Sequence, residues 1–160
     1  MSFTLSDIFL DGLFASIAGI GFGIISNPRP QVLWLCGVIA ALGHAVRFVL
    51  LAYSVPIVPA NFLSRLTIGI LSEAGAFWKK TPSETLAFPA LLPMIPGMYA
   101  YRTVEALISC LCNTQEETFR HYFYLLAYNG LTCTFIVLGM VVGATIPVFM
   151  FKKLSFTATR

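Results

Sequence analysis

Charge is scarce in this chain. Only 11% of its 160 residues are charged, against roughly 25% in a typical soluble domain. So few charges cannot cover the apolar surface of a soluble fold of this length. A basic patch with interleaved polar residues is also missing, which argues against nucleic acid as a partner. There is no glycine-rich phosphate loop after a strand, so ATP use by this chain is not indicated. Histidine is nearly absent. His44 and His121 are the only two, and His121 falls in an expected loop. No hydrolase triad can be built on them, and the reading is not an enzyme. The four cysteines, Cys36, Cys110, Cys112 and Cys133, lack the doubled spacing of a zinc site. They read as small apolar packing residues, and no metal or cofactor is implied. The N-terminus lacks the basic region of a signal peptide. Asp7 and Asp11 stand where positive charge would be expected, so the first apolar run is expected to stay as a helix.

Apolar sequence is what the chain has in abundance. Hydrophobic residues make up 58% and the mean hydropathy is +0.83. The bilayer is the solvent that makes this composition stable. Five apolar spans are expected, over residues 8–26, 32–55, 58–78, 84–108 and 122–151. The fold class is therefore all-α, a polytopic membrane helix bundle forming one transmembrane domain over residues 1–160. Prolines break the fourth span. The fifth is longer than the ~20 residues a span needs, so it should tilt, bend near Asn129-Gly130 or leave the membrane.

The loops alternate in charge. One side receives Arg29, Lys79, Lys80, Lys152, Lys153 and Arg160. The other receives Arg120 beside Glu116 and Glu117, with Arg102 a borderline case at a span end. The positive-inside rule then places the protein in the cell membrane, N-terminus outside and C-terminus cytoplasmic. Trp34 and Trp78 fall near span ends on the cytoplasmic side, as interface anchors do. Small residues recur at helix spacing: Ala15, Gly19 and Gly23; Gly37, Ala41 and Ala45; Gly139 and Gly143. Such faces let backbones approach closely, within one bundle or against a partner subunit.

Ionisable residues at membrane depth are costly, so they usually face a cavity or a partner. His44 and Arg47, three apart on the second span, share a helix face. Together they offer a fixed positive charge beside a group that titrates near neutral pH. This suits an anionic substrate group and a proton-linked step. The plainer reading has Arg47 reaching to the interface and His44 bonded to a neighbouring helix. Arg65 and Glu73, on the third span, are expected to reach outward and inward to the two interfaces. Glu73, the only acid well inside an apolar span, is a reserve candidate for proton transfer. Asp11 is expected to be solvated near the outer interface.

The fourth span holds Pro89, Pro93, Pro96 and Gly97 within the run PALLPMIPGMYAY. Each proline removes a backbone donor and clashes with the preceding turn. The helix should break, and a second half-helix should begin near Gly97 with free N–H groups facing the break. Discontinuous helices of this kind bind carboxylates in transporters. The plainer reading is a structural kink. Asn129, polar at membrane depth, bonds either a substrate or another helix.

The runs GHAVR and PALLPMIPGMYAYR, and the Asn129 region leading to a glycine-rich helix that ends Ile146-Pro147, resemble the threonine/serine exporter family. The resemblance is to its ThrE-like C-terminal half in the small-subunit (YjjB-like) type, and it covers most of the chain. It implies export of threonine and serine, or of a dicarboxylate such as succinate, driven by the proton motive force. It also implies a larger partner subunit carrying the ThrE-like N-terminal half. His44, Arg47, Pro93, Pro96, Gly97 and Asn129 fall on the family pattern; Arg65 and Glu73 do not. Substrate binding is thus assigned to Arg47, Pro96, Gly97 and Asn129, and proton coupling to His44 and Glu73. The alternative is a non-transporting structural or assembly subunit of a membrane complex.

Overall fold

The computed structural model describes residues 5–151. Lys152, Lys153 and Arg160, which carry part of the expected charge asymmetry, lie outside them. Six α-helices and one short 3-10 helix follow one another, and no strand occurs among the described residues. They are α1 (Leu5–Ile25), α2 (Pro30–Ala52), α3 (Ile57–Lys79), α4 (Glu84–Leu91), the 3-10 helix Leu92–Met94, α5 (Gly97–Cys112) and α6 (Glu116–Met150).

The boundaries follow from local chemistry. Asn27 turns left-handed after α1, at φ 48°, and Pro28 and Pro30 forbid continuation. Pro30 then opens α2 at the first helical position, where its missing N–H is harmless. Lys80 adopts a left-handed conformation after α3, and Thr81 N–H closes back on Ala76 O at 3.1 Å. The fourth segment is broken as expected. An 8-residue helix gives way to the 3-10 turn containing Pro93, and a 16-residue helix restarts at Gly97. By contrast, α6 runs unbroken for 35 residues through Asn129-Gly130. At 1.5 Å per residue it is roughly 50 Å long, more than the ~30 Å hydrocarbon core. His121, expected in a loop, lies inside it.

Among the described residues, three helices are long and apolar enough to cross a membrane: α1 over Ser6–Ile25, α2 and α6. Three of the five expected spans meet that measure of length and hydropathy. With 23 residues α3 is as long as α2, but Arg65, Glu73 and Lys79 lower its hydropathy. Separately, α4 and α5 are too short.

The chain divides into two compact units, Met1–Met94 with Gly139–Arg160, and Ile95–Leu138. In the first, α1 lies along α2, α2 along α3, and α4 against α1, α2 and α3. Its core includes Val32, Leu35, Ile39, Ile68, Leu86 and Met94. The small-residue faces are used for close packing inside this unit. A Cβ on Gly19 would stand 2.7 Å from Ala40 Cβ and 3.1 Å from Cys36 O. One on Gly143 would stand 3.1 Å from Phe62 O, so the end of α6 presses on α3. In the second unit α5 meets α6 where a Cβ on Gly130 would touch Thr103. Large apolar side chains point outward throughout, among them Phe9, Phe14 and Ile17 on α1 and Leu131 and Phe135 on α6. In water such a surface would aggregate; in lipid it is at home.

Candidate functional site

The first unit buries charge. His44 and Asp11 are in hydrogen-bond contact between α2 and α1, with Nδ1 to Oδ2 at 3.2 Å and side-chain exposures of 10% and 40%. Asp11 is therefore not simply a solvated interface residue; it is the partner of the intramembrane histidine. The second ring nitrogen, Nε2, is buried without a partner among the described residues. One helical turn on, Arg47 is half-buried, and its Nε also lacks a partner there. The sequence places Arg47 one turn from His44; the structure adds Asp11 as the histidine's partner.

Arg65 does not reach for an interface. It is fully buried and donates through Nη2 to Met94 O, at the end of the 3-10 turn. The preceding residue, Ser64, donates to Gly43 O at 2.6 Å. The proline break frees backbone carbonyls, and α3 supplies a donor for one of them. Arg65 is thus a structural clamp on the broken segment. Sequence gave no signal for this, because the two residues are 29 apart.

Glu73 does not reach for an interface either. It is 5% exposed, and neither carboxylate oxygen has a hydrogen-bond partner among the described residues. It faces a cavity of about 290 Å³ in the first unit, together with Ser72 and Ser83. Near the same end of α3, Lys79 Nζ lies 4.0 Å from the Trp78 ring centroid and 5.9 Å from that of Trp34. The two indoles meet edge to face at 6.0 Å. Both interface anchors therefore sit at one level of this unit.

The second unit exposes charge. Its α5 begins at Gly97, but the helix end is less open than expected. Pro96, at φ −77° and ψ 56°, makes an inverse γ-turn in which Gly97 N–H donates to Ile95 O at 2.8 Å. Tyr99 N–H donates to Pro96 O at 3.1 Å. An incoming carboxylate must compete for these donors. Gly97 is exposed, with open space where a Cβ would stand.

Asn129 is buried, and its amide N–H donates to Leu125 O at 2.8 Å, one turn back on α6. It lines a second cavity of about 340 Å³ with Arg102, Glu105, Tyr122 and Tyr128. Arg102 and Glu105 lie one turn apart on α5 and form no salt bridge with any described residue. The cavity thus brings both signs of charge to Asn129. Sequence reading placed Arg102 at a span end and passed over Glu105. Their spacing of three, opposite a polar residue on the next helix, was the available signal. Pro96, Gly97 and Asn129 belong to the second unit; His44, Arg47 and Glu73 belong to the first.

A protein of Haemophilus influenzae (strain ATCC 51907 / DSM 11121 / KW20 / Rd), named only as uncharacterized, is 29% identical over 143 residues. The match covers 89% of this chain and 47% of that protein, so the chain spans about half the length of this relative. No solved structure matches the chain. The family model described as threonine/serine exporter, ThrE, matches residues 11–150. Its apolar helices and this match support a membrane protein. The chain belongs to the threonine/serine exporter family, ThrE.

Proposed function

We propose that the chain is one subunit of a secondary exporter that moves small amino-acid solutes out of the cell, driven by the proton gradient. The observation that carries this reading is the cavity holding Asn129, Arg102 and Glu105. A guanidinium suits a carboxylate and a carboxylate suits an ammonium. The cavity therefore fits a zwitterion such as serine or threonine better than a dicarboxylate such as succinate, which Glu105 would repel. The Gly97 end of α5 offers a second place for a carboxylate once its turn opens.

Proton coupling is assigned to His44. Its contact with Asp11 joins α1 to α2, so a change in protonation alters the bond between two helices. Arg47 keeps positive charge nearby and favours anionic groups. With α3 and the α4–α5 pair counted as further crossings, the bundle has five spans, N-terminus outside and C-terminus in the cytoplasm of the cell membrane. The rest of the exporter is supplied by a larger ThrE-like N-terminal-half subunit.

The test is efflux of labelled L-serine, L-threonine and succinate from cells that lack this chain, with and without its return on a plasmid. Return should restore serine and threonine efflux, and a protonophore should abolish it. Serine and threonine efflux unchanged by removal of the chain would contradict the reading and favour a non-transporting assembly role.

A further inference from the structure

Four buried oxygens on residues that line the first unit's cavity have no donor or acceptor among the described residues: both carboxylate oxygens of Glu73 and the hydroxyls of Ser72 and Ser83. Their residues are 5%, 1% and 2% exposed. Folded proteins satisfy nearly all buried polar atoms, and those left over call for a reason. Each orphaned hydroxyl loses its hydration without compensation, and a carboxylate loses more. Their gathering on one cavity from two elements, α3 and the cap of α4, points to a ligand that supplies the missing partners.

The lining chemistry selects that ligand. Among the described residues no lysine, arginine or histidine lines the cavity, whereas a second carboxylate, Glu84, lines it from an exposed position. The ligand must therefore be cationic. At about 290 Å³ the space is more than a bare ion needs. Ala87, Leu91 and Val148 give it apolar walls that accept a carbon skeleton. A primary ammonium carries three N–H donors, and a carboxylate with two hydroxyls accepts three. Lys79, which marks the Trp34–Trp78 level, is six residues beyond Glu73, about 9 Å along the helix. The cavity thus lies just inside one end of the unit.

We infer that the Glu73–Ser72–Ser83 cavity is a binding site for the primary ammonium group of a small solute. The inference rests on the exporter reading and adds a loading station for the cationic end of an amino acid. It also gives Glu73 a ligand-binding role in place of a reserve role in proton transfer.

The site is tested in membranes holding the full chain, with Cys36, Cys110, Cys112 and Cys133 replaced and Ala87→Cys introduced as a reporter in the cavity wall. A water-soluble maleimide reads access. Methylammonium and L-serine should each slow modification at least five-fold. Glycerate, in which a hydroxyl replaces the ammonium of serine, should have no effect. Glu73→Gln, a neutral isostere that breaks no hydrogen bond, should abolish protection, and Ser83→Ala should weaken it several-fold. Equal protection by glycerate and serine, protection by sodium chloride alone, protection surviving Glu73→Gln, or a position that never reacts would each overturn the inference. The exporter reading fails separately: methylammonium would still protect, but cells would not export L-serine.

Discussion

Arg65 and Arg102 show how differently the two units use the same side chain. Arg65, in the first unit, has no exposed surface, and its guanidinium is given to a backbone carbonyl of the broken segment. Arg102, in the second, is exposed, forms no ion pair among the described residues and lines a cavity with Glu105 and Asn129. Both are arginines in apolar surroundings, and hydropathy treats them alike. Burial and bonding separate a charge that holds the fold from one available to a solute. The acids do not follow the same division: Asp11 is paired with His44, but Glu73 of the first unit, like Glu105 of the second, has no partner among the described residues.

Substitutions can break this contrast, and the largest effect should come from Arg65. Arg65→Ala removes a large buried side chain and orphans Met94 O, losses that together cost about 3 kcal/mol or more. The expected outcome is a steep fall in the yield of folded protein in detergent, read by size-exclusion chromatography. Next comes Arg102→Ala, which should cut serine efflux at least ten-fold while leaving yield unchanged, since exposed sites change stability by only about 0.5 kcal/mol. If Arg102→Ala unfolds the protein and Arg65→Ala does not, the contrast is inverted and fails.

Gly19→Val should separate α1 from α2 by forcing a side chain against Ala40 and the Cys36 carbonyl. Overpacking of this kind costs about 1–3 kcal/mol, measurable as a lowered thermal midpoint. Asp11→Asn should have a smaller effect on stability, because the amide oxygen of asparagine can still accept a hydrogen bond from His44 Nδ1. Its effect should appear instead in the pH profile of efflux, shifted in the same sense by His44→Gln; matching wild-type profiles would remove the pair from coupling. The smallest effect is expected at Gly21, where a Cβ meets nothing within 4 Å. Gly21→Ala should leave efflux intact and raise stability by at most about 1 kcal/mol through helix propensity.

Much of the helix pattern was legible because prolines and Asn27 punctuate it. The restart at Gly97 was readable from two prolines three apart. The start of α6 was missed: Glu116 and Glu117 look like loop by hydropathy, yet acids suit a helix N-terminus. Hydropathy alone falls short at α3, where Arg65, Glu73 and Lys79 lower the average although Arg65 and Glu73 are buried by neighbours that a linear scan cannot see. His44 was recognisable as a candidate, but its partner was not, because Asp11 lies 33 residues away on another helix. Snorkelling of Arg65 and Glu73 was a sound expectation for an isolated helix. Packing of α4 and α6 against α3 overrides it. The Arg102–Glu105 pair went unread because hydropathy averages over the face on which it matters.

Efflux of labelled L-serine by Arg102→Ala and Arg102→Lys, at matched membrane abundance and with the partner subunit present, tests the solute cavity most directly. Loss of at least ten-fold in the alanine variant, with partial recovery in the lysine variant, is the predicted result. Wild-type efflux in Arg102→Ala would contradict it.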